Sequence, residues 1–505
     1  MIAVDQLLSA FQEILTWKIL FLFTIGTIVG IIIGSLPGLT TTMGVSLLIS
    51  FTWGMPFLEA VILIVALHVG GTYGGSTAAI FLNIPGTPAS AATALDGYPM
   101  ALRGEGGLAR GIATVQSVIG TLFAAILFLL ASPFLSKIST NFGSWEYFLL
   151  ALFGIIISAN IASESLLKGL VSGCLGLMLA TVGMDSMNGI SRFTFGESVL
   201  LSGFSLIAVL IGLFGITEVI AALVEFQPPL KANNITSSIP SWSLIKKYLP
   251  LGARSTFIGS IIGAIPGAGA DVASWVSYDM AKRRSKSPET FGKGNPEGIV
   301  ASETANNACV PGSYVPMLTL GIPGDSVTAV IIGGLMLHGL NPGPLLTVER
   351  PEIIYQFFVM LLISSIVLLV AGLFFSSLFQ RVLLFPKSVV LIVVTVLSVI
   401  GTFAVNNLTF DIGLMFVFGL LGYLMRNVGV AAPPMVLGLI LGPMAEANFR
   451  RAMVSADYSF VPFVTRPISL ILILIILFIL FNQNDFVTKN VKKLWNKKDN
   501  SIGGV

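Results

Sequence analysis

The sequence predicts an all-α polytopic membrane protein made of two inverted-topology repeats, each carrying re-entrant hairpins and broken helices. Three observations predict it. The first is composition: of 505 residues, 55% are hydrophobic and 10% charged, with a mean hydropathy of +0.92. Soluble domains carry about 25% charged residues, so this chain has too few to solvate a surface of its own. The second is a repeated phrase, Gly30-x3-Gly34-x2-Pro37-Gly38 and Gly259-x3-Gly263-x2-Pro266-Gly267, displaced by 229 residues from Pro37 to Pro266. A further phrase follows each copy, Asn83-Ile84-Pro85-Gly86-Thr87 and Gly321-Ile322-Pro323-Gly324-Asp325, displaced by 238 residues. The third is a reversal of loop charge between the halves.

The elements follow in order. The first repeat covers residues 1–230, with a broken element near 30–42 and a second break near 83–90. The second covers residues 231–483, with a broken element near 255–281 and a second break near 321–326; a basic tail, 484–505, follows. The apolar run Ile19–Ile33 has no basic head and no small-residue cleavage site, so it reads as retained structure. Further spans are expected at Gly111–Ala131, Trp145–Asn160, Gly169–Gly183, Val199–Val224, Ile353–Phe379, Ser388–Val405, Gly413–Met425 and around Ile468–Phe481. That makes roughly ten to fourteen membrane elements by length and hydropathy. Pro433–Ala445, short and interrupted by Pro and Gly, is left open as a crossing.

Lys231, Lys246, Lys247 and Arg254 precede the second Pro-Gly element, and Lys282, Arg283, Arg284, Lys286 and Lys293 follow it. Positive loops mark the cytoplasmic side, so Ser255–Ala281 is expected to enter the membrane and return as two short half-helices, the alternative being a single kinked crossing. The matching first-half loop, Phe51–Glu59, holds no basic residue, whereas Arg103 and Arg110 follow the first Ile-Pro-Gly. One fold inserted twice in opposite orientations has that charge pattern. Lys489, Lys492, Lys493, Lys497 and Lys498 place the C-terminus in the cytoplasm.

Proline and glycine break helices, and in a bilayer the freed backbone groups must be met by protein, water or solute. Paired breaks in two halves therefore mark a transporter's binding site. The helix-breaking residues are Pro37, Gly38, Pro85, Gly86, Pro266, Gly267, Pro323 and Gly324. Ser35, Thr40, Thr41, Thr42, Ser76, Asn83 and Thr87 surround the first-half breaks; Asn306, Asn307 and Ser326 surround the second. Their hydroxyls and amides, with helix N-termini, suit a carboxylate without any buried basic side chain. Asp271 and Asp325 read either as coupling-ion groups, holding sodium or carrying a proton, or as helix caps. No other metal site and no cofactor is expected. Asp96-Gly97-Tyr98-Pro99 reads as a surface turn, and His68, close to Tyr73, as a packed or hydrogen-bonded residue, the alternative being a minor proton carrier.

Several chemistries are excluded. No Gly-Lys-[Ser/Thr] occurs, so the chain carries no P-loop. Two histidines far apart exclude a His-Glu-x-x-His zinc site, and no nucleophile and base are paired, so the chain is not expected to be an enzyme. Cys174 and Cys309 lie in separate apolar regions and give no disulfide framework.

Taken together, Gly34-Ser-Leu-Pro-Gly-Leu39, Tyr73-Gly-Gly-Ser76, Asn83-Ile-Pro-Gly-Thr-Pro88, Asp96-Gly-Tyr-Pro99, Gly263-Ala-Ile-Pro-Gly-Ala-Gly269, Glu303-Thr-Ala-Asn-Asn307 and Leu320-Gly-Ile-Pro-Gly324 make the chain resemble the TctA-type large membrane subunit of the tripartite tricarboxylate transporters. The resemblance implies a multi-pass permease of the bacterial inner membrane, importing organic carboxylates by sodium or proton coupling. It implies as partners a small four-span membrane subunit and a periplasmic solute-binding protein, besides the carboxylate and membrane lipid, and no nucleic acid. Which carboxylate, which ion and which oligomeric state are left open. The alternative from another class is an ion-conducting channel built on paired re-entrant loops.

Overall fold

The computed structural model describes residues 4–36, 38–139, 141–162, 165–185, 188–224, 239–374 and 386–482. Pro37, Lys231, the boundary expected at 230/231 and the basic tail lie outside the described residues. The helices of the first half are α1 (Val4–Ile14), α2 (Trp17–Ser35), α3 (Thr41–Phe51), α4 (Phe57–Leu82), α5 (Ala91–Leu102) and α6 (Gly106–Ser139). After them come α7 (Ser144–Ala162), α8 (Leu166–Ala180), α9 (Leu206–Leu210) and α10 (Thr217–Val224). The second half has α11 (Trp242–Ala264), α12 (Gly269–Arg284), α13 (Pro296–Leu320), α14 (Ser326–Leu337), α15 (Leu346–Glu349) and α16 (Glu352–Phe374). The last are α17 (Lys387–Asn406), α18 (Thr409–Asn427), α19 (Pro433–Ser455), α20 (Val461–Thr465) and α21 (Pro467–Asn482). Among the described residues, seven helices are long and apolar enough to cross a membrane, and five shorter apolar helices accompany them.

The chain forms two compact units. One comprises residues 1–140 and 205–424; the other comprises 141–204 and 425–505. The larger unit contains both sets of breaks. Its framework is two helix pairs built alike, α2 on α4 and α11 on α13. A methyl added at Gly30 or Gly34 would overlap the carbonyls of Leu67 or Gly71, and one at Gly259 or Gly263 those of Ala305 or Cys309. Only hydrogen fits at these crossings. Small residues that let backbones approach this closely are how helices of membrane proteins pack on one another.

The register of those contacts fixes a direction. Residues 30 and 34 meet 67 and 71, so α2 and α4 run parallel, and the chain between them has to come back; α3 is the return. Residues 259 and 263 meet 305 and 309 in the same sense, with α12 as the return. Helix α11 starts at Trp242 and α12 ends at Arg284, so both reach beyond the 27-residue hairpin expected at Ser255–Ala281. Lys246, Lys247 and Arg254 lie on α11, and Lys282, Arg283 and Arg284 form the last turn of α12, where cations favour the C-terminal dipole.

Within the same unit α9 passes through a π-helical turn, Ile211–Ile216, into α10. The Thr217 hydroxyl donates to the carbonyls of Gly212 and Gly419, at 3.2 and 3.1 Å. Of the span expected at Val199–Val224, residues Ser198–Ser202 are a 3₁₀ turn and the long helical run starts at Leu206.

In the smaller unit α19 packs on α7 and α8. Pro433–Ala445 is the beginning of this 23-residue helix, with Pro433 at its first position, where a missing N–H costs nothing. A two-stranded hairpin pairs Gly183–Met184 with Ser191–Arg192. Arg192 forms a bidentate pair with Glu446 at 2.7 and 3.1 Å, and Arg450 reaches both Asp185 and Glu446. The buried Glu146 is satisfied by Arg466 at 2.7 Å and Ser469 at 2.6 Å.

Candidate functional site

Both broken elements end in the same way. Helix α2 stops at Leu36 (φ −84°, ψ 114°), whose N–H returns to the Ile33 carbonyl; α11 stops at Ile265 (φ −85°, ψ 114°), whose N–H returns to Ile262. Gly38 and Gly267 follow at φ 88° and 82°, backbone that residues with a side chain seldom adopt. The second breaks also match. Helix α4 ends at Asn83 and α13 at Gly321, both left-handed, at φ 55° and 72°.

The turns beyond them fold back onto the helix pair. Gly86 sits against the Gly34 carbonyl and Gly75, and Gly324 against the Gly263 carbonyl and Ser313. The Gly86 N–H donates to the Gly75 carbonyl at 3.4 Å, and the Gly267 N–H donates to Gly324 at 2.8 Å. Each break of one half then meets the other half. Helix α3 packs on α14, where Ile49 lies against Gly334, and α12 packs on the 3₁₀ turn Pro88–Ser90. The exchange is reciprocal: the return helix of each half touches the element after the second break of the other.

The expected site residues divide into groups. Ser35 donates to the carbonyls of Ile31 (2.6 Å) and Gly74 (3.1 Å), and Ser76 to that of Tyr73 (2.7 Å), so both hydroxyl protons bind backbone. Thr40 caps α3, accepting from Met43 N–H at 3.1 Å. Thr41 lies on Gly71, and Thr42 is buried beside it. Asn83 is an exposed cap of α4. The Thr87 hydroxyl lies against Gly75, buried and without a hydrogen-bond partner among the described residues. Asn306 donates to the Thr72 carbonyl, and Asn307 to Ser117 and the Glu303 carbonyl, while their Oδ1 atoms have no partner among the described residues.

Asp325 caps α14. Its Oδ1 accepts from the Thr328 N–H and hydroxyl, both at 2.7 Å, and its own N–H donates to the Thr328 hydroxyl at 2.9 Å. Ser326 is half-buried in the first turn of α14. A side chain at Gly269 would sit 3.4 Å from Asp325, so the start of α12 lies against the start of α14. Asp271, in the first turn of α12, takes a hydrogen bond from the Ala89 backbone and lies within electrostatic reach of Asp325. The structure thus gathers Gly267, Gly324, Asp325 and Asp271 around one corner, with the turn Thr87–Ser90 of the first half beside them.

The basic residues around the second break also converge. Lys247, Arg254, Arg284 and Lys286, with Glu297, line one cleft of about 710 Å³. His68 hydrogen-bonds Tyr314 at 2.9 Å, so its partner comes from α13 rather than from the neighbouring Tyr73.

Two features are absent from the sequence reading. Asp96 is no surface turn: it is buried in α5 and accepts from the N–H groups of Gly292, Gly294 and Asn295 and from Tyr278 Oη, all at 2.8 to 2.9 Å. Helix α5 carries Pro99 in its final turns, where little helix remains to be disrupted. The second feature is a polar network around Glu303, whose carboxylate takes hydroxyls from Thr93 on α5 and Ser117 on α6. Those partners stand 210 and 186 residues away, so no local pattern announces them.

The model of the tripartite tricarboxylate transporter TctA family matches residues 20–437. A protein of Agrobacterium vitis described as an uncharacterized 52.8 kDa protein in the TAR-I ttuC' 3' region is 34% identical over 467 residues, covering 92% of this chain and 93% of the relative. An uncharacterized protein in the TAR-II ttuC' 3' region of the same organism is 36% identical over 211 residues, 42% of this chain and 87% of the relative. No solved structure matches.

Proposed function

Because the chain belongs to the tripartite tricarboxylate transporter TctA family, and so is the large subunit of such a system, we propose that it imports organic carboxylates of the tricarboxylate class by secondary active transport. The family context implies a small membrane subunit and a periplasmic binding protein that hands over the substrate. In this reading the two halves are inverted repeats, the return helices α3 and α12 are re-entrant, and the chain lies in a bacterial inner membrane with its C-terminus in the cytoplasm. Substrate sits between the Pro-Gly turns. Thr87, whose buried hydroxyl has no partner among the described residues, and helix N–H groups of the first half offer donors to carboxylates, and Asp271 and Asp325 lie where a sodium ion or proton would balance the added negative charge.

The observation that carries the reading is the reciprocal packing, α3 on α14 and α12 on the turn Pro88–Ser90. A structure whose two halves exchange equivalent contacts has two related arrangements available, one opening toward each face, as alternating access requires. The basic cleft of Lys247, Arg254, Arg284 and Lys286 then marks the cytoplasmic mouth.

The test is uptake of labelled citrate into proteoliposomes holding this chain and its small membrane partner, with the binding protein outside. Uphill accumulation that needs the binding protein and an ion gradient is the expected result. Uptake that persists after both sodium and proton gradients collapse, or flux without any binding protein, overturns the assignment and favours a pore.

A further inference from the structure

We propose that Glu303 is the proton-carrying group of the transport cycle, a proposal that rests on the secondary-transport reading above and assigns its coupling ion. Glu303 is 0% exposed, in the middle of α13, where every residue from Gly298 to Thr319 is buried. An ionisable side chain in such a place is costly unless it is paired or neutralised. Among the described residues it has no lysine or arginine partner. Its neighbours are hydroxyls: Thr93 Oγ1 lies 2.5 Å from Oε1, and Ser117 Oγ 3.2 Å from Oε2.

Counting protons through the network shows why hydroxyls suit the task. With Glu303 ionised, Thr93 and Ser117 each donate to one carboxylate oxygen, and Asn307 Nδ2 donates to Ser117 Oγ at 2.7 Å. With Glu303 protonated, its O–H donates to Thr93, and Thr93 turns its proton to Ser302 Oγ, 2.9 Å away. Ser302 donates to the Gly298 carbonyl at 2.9 Å throughout, and Ser117 keeps its bond to Oε2. Both states leave the carboxyl and the three hydroxyls bonded with the heavy atoms unmoved, because one hydroxyl rotates. A fixed ammonium or guanidinium partner would hold the carboxylate in one state; this network accepts either.

The placement suits coupling. Thr93 belongs to α5, which follows the second break of the first half. The carbonyl of Ser302 accepts from Ser274 of α12, the return helix of the second half, at 3.3 Å. The carboxyl thus ties α13 to α5 and α6, and the neighbouring Ser302 carbonyl ties the same turn of α13 to α12. Other ionisable groups on elements packed against α13 are engaged elsewhere. Asp96 of α5 holds the 292–295 loop and His68 of α4 bonds Tyr314; Arg110 of α6 binds the Gly372 carbonyl through Nη2, its Nε and Nη1 being buried without a partner among the described residues. Tyr278 of α12 bonds Asp96, Asp271 and Asp325 stand at the breaks, and Arg254 of α11 lines the basic cleft. The step itself is a proton transfer: water on the outer side gives H⁺ to a Glu303 oxygen, and the O–H bond breaks to water on the inner side.

The experiment uses the assembled transporter in proteoliposomes with labelled citrate. Wild type accumulates it under an inward proton gradient. Glu303→Gln, which mimics the protonated form and keeps both hydrogen bonds, is expected to exchange citrate across the membrane. It is expected to lose the accumulation driven by pH, about tenfold for each unit of gradient per coupled proton. Accumulation by Glu303→Gln equal to wild type overturns the proposal, as does wild-type uptake that follows sodium alone and ignores pH; carboxylate import survives both. Wild type that moves no carboxylate under any gradient sinks the transport reading instead. Should Glu303→Gln fail to fold, Thr93→Val keeps the carboxyl and removes one donor. A charge-assisted bond is lost from the ionised form, so the pH profile of uptake is expected to move to higher pH relative to wild type. An unmoved profile overturns the assignment.

Discussion

The two break regions share a backbone and differ in their chemistry. Leu36 and Ile265 have matching dihedrals, Gly38 and Gly267 are both left-handed, and Gly34 and Gly263 each press on a carbonyl of the following long helix. At the same offsets the side chains part company. Thr87 stands where Asp325 stands, Thr42 matches Asp271, and Val65 matches Glu303. At these three positions an acid of the second half matches a neutral residue in the first, whereas Glu297 matches another acid, Glu59. The two regions keep in common what the turn geometry needs and differ in side-chain chemistry, with hydroxyl or apolar residues in one and carboxylates in the other.

That comparison is most strongly broken at the crossings. Gly34→Val and Gly263→Val each push a side chain into a backbone carbonyl that has no room to yield, and overpacking of this kind costs about 1–3 kcal/mol or more. Loss of folded protein in detergent, judged by size-exclusion and thermal unfolding, is expected for both. One variant behaving as wild type would show that the helix pairs are not equivalent.

The turns come next. Gly38→Ala and Gly267→Ala force a left-handed backbone on a residue with a side chain, at about 1–2 kcal/mol each. Transport should fall while the protein stays folded, and unaltered uptake in both would remove the breaks from the mechanism. At the caps, Asp325→Ala loses the bonds from Thr328 and is expected to lower stability by about 1 kcal/mol. Asp325→Asn keeps the cap. If it transports at the wild-type rate with unchanged ion dependence, Asp325 serves the helix alone; if uptake drops with stability intact, its charge takes part. The smallest effect is expected at the left-handed C-caps, where Asn83→Gly should change stability by only a few tenths of a kcal/mol, roughly the difference between two residues that both tolerate this geometry.

Much of this architecture was legible because proline and glycine act locally. The four breaks and the small-residue ladders could be placed from spacing alone. What escaped depended on distant partners. Helix α13 is buried along its length but rich in polar residues, so it is not among the seven apolar spans of the described residues, whereas its equally buried counterpart α4 is. The charges of Lys246, Lys247, Arg254 and Arg284 looked like loop markers; they extend α11 and α12 past the expected hairpin and converge on one cleft. Asp96 resembled turn chemistry because Gly97 and Pro99 follow it, yet its four donors come from α12 and from the segment ahead of α13.

Asp96 also says where the molecule does not give way. A carboxylate gripped by three amides and a phenol, with Arg103 binding the carbonyls of Lys293 and Gly294 next to it, rivets the start of α13 to a helix of the opposite half. Opening this loop would strip a buried carboxylate of its donors, so the amides of Gly292, Gly294 and Asn295 should be among the slowest of any loop to exchange with heavy water.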